Sequence, residues 1–543
     1  MNNGGLYMFT RRNRVSLLLI VTLCVALILT ACGGNSNSAP NSTTTNSANT
    51  SSGNTSTPPA SEPVKEPINV TVMRGDSPLQ PIVKDAPALL EILKNTNVKI
   101  NIEGVPNSDY TAKKNTMIAT NNLPDIMHVS RGDITTYAST GAFLNISEYM
   151  DEYAPNMKKR IEADPEAYKL TIDGDFYGFP IMARKSVAAN VGGMPMIRTD
   201  ILAELNLEVP TTFDELYEVL KAFKQAYPDS YPWSIRNGSQ YNLRLLAYAF
   251  GGGFSIYYEP NEDKFVYGPT RESFKDVITY MNKLYVDKIL EPNFANLTVQ
   301  QWQENLSSGK SMFFYDNYTF ATNFNMVLQE VNPDAQFDML PIMADNEGNR
   351  RNYMDNPSSF NSYVVSSKVK NPEEIVKMFD WMYTDEGADV TNFGIPGEHF
   401  TRSGDQVTIS QSLIDQFKDK QDPYRAMQSY TGTGLLGFSV FTDDTPMLTI
   451  SPPQLQEWSD MVKVQKEQGI IIEKPLDPPF TEEEREKLTQ LNTKVNTILD
   501  QNIDKFIFGA RALSELDQFA KELIDNGADE IEAIYNTAWE RMK

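Results

Sequence analysis

Ile68-Asn-Val-Thr-Val-Met73, Val98-Lys-Ile-Asn-Ile-Glu-Gly-Val105 and Asp125-Ile-Met-His-Val129 are three apolar-rich segments within one stretch, residues 68–129. The first two alternate apolar and polar side chains, the period of a strand with one covered face. Residues 82–93 between them carry apolar side chains at helical spacing, and residues 109–120 read as a second helix. Strand, helix, strand, helix, strand predicts a parallel sheet with right-handed crossovers, hence an α/β fold. In such sheets ligands lie beyond the carboxyl ends of the strands. That rule nominates two loops, Arg74-Gly75-Asp76 and Ser130-Arg131-Gly132-Asp133. Arg74, Asp76 and Arg131 put cations and a carboxylate where a polar ligand can be hydrogen-bonded; surface-turn chemistry is the competing reading. Arg-Gly-Asp thus occurs twice, which invites an adhesion role, but chance tripeptides at strand ends explain it more simply.

Upstream, Arg11, Arg12 and Arg14 precede a predominantly apolar run, residues 15–31, that closes on Leu29-Thr30-Ala31-Cys32. Positive, apolar and small-residue segments in that order are a secretory leader; the alternative, an uncleaved membrane helix, is at the short limit for spanning. A Cys directly after the small residues resembles the lipobox of bacterial lipoproteins. The resemblance implies cleavage before Cys32, leaving residues 1–31 as signal peptide, and lipid attached at Cys32. From Asn35 to Thr57, 19 of 23 residues are Ser, Thr or Asn. Such a segment has too little apolar surface to offset the entropy of ordering, so residues 32–66 are expected as a flexible tether. Pro residues at 58, 59, 63 and 67 stiffen its far end.

The remaining roughly 475 residues exceed what one core organises, so two or more domains are expected. The only cysteines are Cys24 and Cys32; with the first in the leader and the second lipidated, no disulfide or thiol metal site follows. The net charge of −23 argues against nucleic acid, which needs a basic footprint, and disfavours a polyanionic ligand without excluding one. There are only two histidines, His128 and His399, and neither a G-x-S-x-G nor an H-E-x-x-H motif. No pair of carboxylates stands out for glycoside hydrolysis. Gly432-Thr-Gly-Leu-Leu-Gly437 fits G-x-G-x-x-G but follows no long apolar strand, so nucleotide binding is not expected.

Pro210-Thr-Thr-Phe-Asp-Glu215 opens a helix, with Thr212 and Glu215 spaced as a capping box. Asn371-Pro372 opens another, for which Gly387 is a plausible stop. Tyr257-Tyr258 and Lys264 to Tyr267, around Asn261-Glu262-Asp263, read as a hairpin. The tail, residues 513–539, is amphipathic helix broken at Gly527. Trp233 and Arg236 follow the capped helix in a Pro-flanked loop, where a Trp is less easily explained as core than on a helix face. Both are therefore ligand candidates, whereas Trp302 and Trp381 sit in helical patterns and read as core.

The order of motifs resembles the bacterial extracellular solute-binding proteins of family 1, in their long lipoprotein branch. Asn122-Leu123-Pro124-Asp125-Ile126 is similar to the family's "LPDI", and Asp173-Gly174-Asp175-Phe176-Tyr177-Gly178-Phe179-Pro180 to its "DGKIYGIP". Val209-Pro210-Thr211-Thr212-Phe213-Asp214-Glu215-Leu216 matches "VPTTWDEL", Ala249-Phe250-Gly251-Gly252 matches "AFGG", and Gly309-Lys310-Ser311-Met312 resembles "GKAAM". Trp381-Met382-Tyr383-Thr384-Asp385-Glu386-Gly387 and Gly394 to Phe400 resemble "WLYTDEG…YGIEGEHY", and Phe506 to Tyr535 that branch's ending.

The resemblance implies a two-lobed, periplasmic-binding-protein-like fold, each lobe a mainly parallel sheet flanked by helices, joined by crossing segments. Lobe one is expected from residues 67–185 plus about 345–425, lobe two from about 190–340 plus about 426–543. The implied role is capture of an oligosaccharide in the interlobe cleft and delivery to the permease of an ATP-driven importer. It further implies a monomer held to the membrane by lipid alone, without catalysis, cofactor or metal. By family placement Tyr315 and Asp316, ending a strand, join the ligand candidates, with Tyr318 a weaker neighbour; Glu398 and His399 match the branch motif without an assigned role. Some relatives carry an Asp/Asn-rich calcium loop after the helix that here ends at Tyr227; Pro228-Asp229-Ser230-Tyr231 departs from it, so no metal is expected there. A surface glycan-acting enzyme and an adhesin or sensor partner of a membrane kinase are the alternatives.

Overall fold

In the first sheet, side-chain alternation becomes burial. The computed structural model describes residues 66–77, 80–164, 167–185, 191–356, 361–420, 422–434 and 437–543. The expected leader, Cys32 and all of the tether but its last residue lie outside them. β1 (Ile68–Asp76) buries Val70 and Val72, and β2 (Val98–Pro106) buries Val98, Ile100 and Ile102 while Lys99, Asn101 and Glu103 face solvent. β1 runs parallel to β2 from Ile68 opposite Val98 to Asp76 opposite Pro106, and parallel to β3 (Ile126–Ser130) on its other side. Asn361–Val365 then adds antiparallel to β3, and Phe179–Pro180 antiparallel to that strand. The three expected strands are thus one parallel unit, extended by chain that returns from far downstream.

The first crossover helix, α1 (Pro87–Thr96), starts five residues later than the apolar period predicts. Pro87 occupies a first-turn position, where its missing N–H is harmless and its fixed φ is already helical. Asn97 closes the helix in the left-handed region at φ 56. The second, α2 (Asn107–Ala119), follows β2 as expected. Beneath the sheet, Ile92, Ile126, Ile375 and Phe379 share a core in which Phe179 and Phe379 stack at 4.0 Å.

Gly387 does not stop a helix. The helix Pro372–Met382 ends at Tyr383, and Gly387 lies inside the next one, Asp385–Phe393, where its N–H donates to the Thr384 hydroxyl. A Cβ there would stand 2.1 Å from the Trp381 carbonyl oxygen, so close backbone approach explains the glycine.

The second sheet departs from the mainly parallel form expected for it. Met194–Arg198 is its central strand and pairs antiparallel with both Phe313–Asp316 and Phe337–Met339. Both faces are covered, so successive residues feed different cores. Ile197, Phe313 and Tyr315 pack with the helices Phe213–Ala226, Gly238–Ala249 and Glu272–Val286, whereas Met196, Phe314 and Phe337 pack with Trp302, Phe324 and Trp458. A strand buried on both faces reads as a continuous apolar run, which is what Met312-Phe313-Phe314-Tyr315 shows.

The chain changes cores later than expected. Asn352–Met354 still pairs with Ile471–Glu473, and Tyr353 belongs to the second lobe's core, so the return falls between Met354 and Asn361 rather than at about 340–345. Phe438, Val440 and Phe441 pack with the first sheet, and Phe441–Asp443 pairs parallel with Met182–Lys185, so the last crossing follows Asp443 instead of falling at about 425.

Local signals elsewhere take their expected form. The Thr212–Glu215 capping box is complete on Phe213–Ala226, the hairpin Ile256–Glu259/Lys264–Tyr267 is antiparallel, and Gly527 at φ 110 separates Leu516–Asp525 from Ala528–Glu540. Thr212→Ala removes the acceptor for the Glu215 N–H and is expected to cost about 1 kcal/mol, read as an earlier urea-unfolding midpoint. An unchanged midpoint would show that the cap is not limiting. Among the described residues no helix is long and apolar enough to cross a membrane.

Candidate functional site

Where the two lobes face each other the structure encloses a cavity of about 630 Å³, within the range of small-molecule sites. One wall is the end of β3 and the start of α3 (Arg131–Tyr137), with the turn at Thr171–Gly174 beside it. The other is the segment Lys474–Thr481 and the first turns of the helix Glu482–Phe508. Three prolines in Lys474-Pro-Leu-Asp-Pro-Pro-Phe-Thr481 hold this segment extended, since Pro lacks the N–H that helix or sheet would use. Thr481 and Glu484 then form a capping box that starts the long helix.

The cavity is lined by charged contacts, one of which crosses between the lobes. Arg485 Nη2 lies 2.9 Å from Asp173 Oδ2, and Arg541 grips Glu484 with two bonds of 2.6 Å. Lys474 Nζ lies 3.2 Å from Asp355 Oδ1. Burial lowers the Lys474 ammonium pKa, Asp355 opposes that, and nearby Arg244 lowers it further. Asp477 keeps contact with solvent but is crowded by the cavity walls, and this enclosure pushes its carboxyl up against the pull of Arg131 and Lys474.

Of the residues nominated from sequence, Arg131 lines this cavity. It donates through Nη2 to the Lys169 carbonyl and, at 3.5 Å, to that of Asp477. Arg74 does not line it. Its side chain is fully buried and donates from Nη1 to the Gly437 carbonyl at 2.8 Å, pinning a later segment of the same lobe to the end of β1. Asp76 turns back on its own loop, where Oδ1 faces the Ile82 N–H at 3.4 Å. In the second Arg-Gly-Asp, Asp133 caps α3 and pairs with Lys114. With Arg74 buried and Asp133 engaged, neither tripeptide is presented as an adhesive loop.

Arg236 and Asp316 are brought together, but by each other. Nε and Nη2 of Arg236 reach the two Asp316 oxygens at 2.8 and 2.9 Å, and the guanidinium lies 5.0–5.4 Å from the rings of Tyr241, Phe320 and Trp302. Asp316 also accepts from the Asn317 N–H at 2.6 Å. The pair is satisfied within the second lobe, leaving little capacity for a ligand.

Trp233 and Tyr315 do not present a face to the cleft. Trp233 is 0% exposed, set edge-on to Phe313 at 4.5 Å, and its backbone bridges Leu290 and Phe313. Pro232 places the Trp in a strand-like segment laid across the lobe-two core rather than in a surface loop. Tyr315 is 1% exposed because strand alternation turns it into the same core. Tyr318 is buried against Trp458. His399 accepts the Ile395 N–H at 3.1 Å and closes the turn 394–400, and burial lowers its pKa. Trp302 is core, as its helical pattern suggests.

Sequence reasoning missed the Lys474–Thr481 wall. Its signal was a Pro-rich, charged stretch between a strand and a capped helix; the partner that makes it a wall stands 346 residues away. At Pro228-Asp229-Ser230-Tyr231 the Lys224 ammonium donates to the Pro228 and Ser230 carbonyls at 2.7 and 2.5 Å, and among the described residues no cluster of three or more His, Cys, Asp or Glu is placed to hold a metal.

Comparison with known families completes the picture. The profile of the bacterial extracellular solute-binding proteins matches residues 71–389, more than half of the chain. The chain belongs to this family. The solute-binding proteins are extracellular, so an extracytoplasmic location follows, and the matched relatives are binding proteins rather than enzymes. One is the fructooligosaccharide ABC transporter substrate-binding protein FusA of Streptococcus pneumoniae serotype 4, 23% identical over 496 residues, covering 87% of this chain and 90% of the relative. Another is the polygalacturonan/rhamnogalacturonan-binding protein YtcQ of Bacillus subtilis strain 168, 23% identical over 469 residues, covering 84% and 88%. Among solved structures, alginate-binding protein AlgQ2 without calcium ion superposes with a TM-score of 0.74 at 19% identity, over 88% of this chain and 99% of that one. The two-lobed architecture is therefore that of the solute-binding fold.

Proposed function

We propose that this solute-binding protein is a lipid-anchored receptor that captures an oligosaccharide between its lobes and delivers it to the permease of an ABC importer, without catalysing any reaction. The carrying observation is the cavity of about 630 Å³ walled by both lobes, so that a bound solute touches both and biases them toward closure. The relatives that bind oligosaccharides support the ligand class. The Leu29-Thr30-Ala31-Cys32 sequence supports the anchor, and the Ser/Thr/Asn-rich tether gives the lobes reach from the membrane surface. The lobes of the receptor correspond to residues 67–185 with 361–443, and 191–354 with 447–543.

A thermal-shift screen of the protein against plant and microbial oligosaccharides tests this reading. Ligand at about a hundredfold excess over Kd stabilises by about 2.7 kcal/mol, which raises the melting temperature by about 5 °C. Small-angle scattering with the best ligand is expected to show a smaller radius of gyration as the lobes close. Melting unmoved by every sugar, or conversion of the sugar into products, would overturn the proposal.

A further inference from the structure

The cavity is more basic than the chain that builds it. Its lining carries four cations, Arg131, Lys474, Arg485 and Arg541, against three carboxylates, Asp173, Asp355 and Asp477, in a protein of net charge −23. Three of the four cations have carboxylate partners within 3.2 Å: Asp355 for Lys474, Asp173 for Arg485 and Glu484 for Arg541. Arg131 differs. Among the described residues no carboxylate pairs with it, its Nη2 meets only backbone carbonyls, and its Nη1 is shielded from water with no acceptor. A guanidinium nitrogen shielded from water with no carboxylate in hydrogen-bond reach is costly even with Asp477 acting on the group from further off, and an acceptor that arrives with the ligand relieves that cost. The bidentate geometry of a guanidinium fits a carboxylate better than a sugar hydroxyl.

We propose that Arg131 is the recognition point for a carboxylate on the bound sugar, so that the cleft takes an oligosaccharide containing uronic acid units. This rests on reading the cavity as the sugar site. Lys474, with Arg244 nearby, extends the positive field along the wall opposite Arg131. The strongly negative surface elsewhere then disfavours non-specific anion binding and confines it to this cleft.

Titration calorimetry on the full chain tests the assignment with tetragalacturonate, tetramannuronate, the methyl ester of each, neutral maltotetraose, and citrate as a carboxylate without a sugar. At least one acidic tetramer is expected to bind about ten- to a hundredfold more tightly than its ester, the worth of one charge-assisted pair. That margin should narrow with added salt. It should vanish in Arg131→Gln and be partly retained in Arg131→Lys, with melting curves reporting that both variants fold. Esters or maltotetraose binding as tightly as the acids would overturn the carboxylate assignment while leaving the sugar-receptor reading intact. Citrate matching the acidic tetramers would overturn the sugar-acid class. Failure to bind any oligosaccharide would remove the receptor reading and this inference with it.

Discussion

Arg236→Ala is expected to destabilise the protein by about 3–5 kcal/mol, because it strands a buried carboxylate. Asp316 is 4% exposed and takes two of its bonds from this one guanidinium. Burial alone would depress the Arg236 pKa; Asp316 outweighs it, and the guanidinium is held above its usual value. The aromatic rings around it add packing that an alanine forfeits. Urea unfolding measures the loss. Asp316→Asn should cost a similar amount, and the double variant Arg236→Leu/Asp316→Leu much less than the sum, since it removes both charges together. Additive losses, or a loss below about 1 kcal/mol, would mean that the pair is not a coupled unit.

Trp233→Ala is expected to cost about 3–5 kcal/mol in stability through the cavity it leaves in the second lobe. The indole fills space between Phe313 and Tyr280, at 4.5 and 6.3 Å, and the same residue links two segments by backbone bonds to Ile289 and Glu291. Its Nε1 has no acceptor among the described residues, so Trp233→Phe gives up volume without abandoning a partner and should cost less. If Trp233→Ala instead melted like the parent and weakened sugar affinity, the stacking role suggested by its Pro-flanked loop would stand.

These two residues show how the sequence reading of the site went astray. A Trp after Tyr231-Pro232 looks like a loop aromatic, yet the Pro-bound segment is laid across the core, and nothing within ten residues signals that. Tyr315 ends a strand, but which way it points depends on whether one face or both are covered. That is decided by the helices packed on either side. The position of Arg131 on the cavity wall was legible, because the rule that ligands gather at the carboxyl ends of parallel strands needs only local pattern and handedness. Arg74, nominated by the same rule, is claimed by the Gly437 carbonyl 363 residues downstream.

By itself the sequence determined what depends on near neighbours. The alternation of Val70 and Val72, the Thr212–Glu215 cap, the break at Gly527 and the parallel β1–β2–β3 unit all follow from contacts within a few turns or one crossover. Only the tertiary structure decided which of the nominated side chains remain available. Lys474–Thr481 becomes a wall of the cleft, and Arg236 a partner of Asp316, through contacts between segments far apart in the chain. Local pattern sets the period at which side chains face inward; the free energy of burying a particular charge or ring depends on what arrives on its other side.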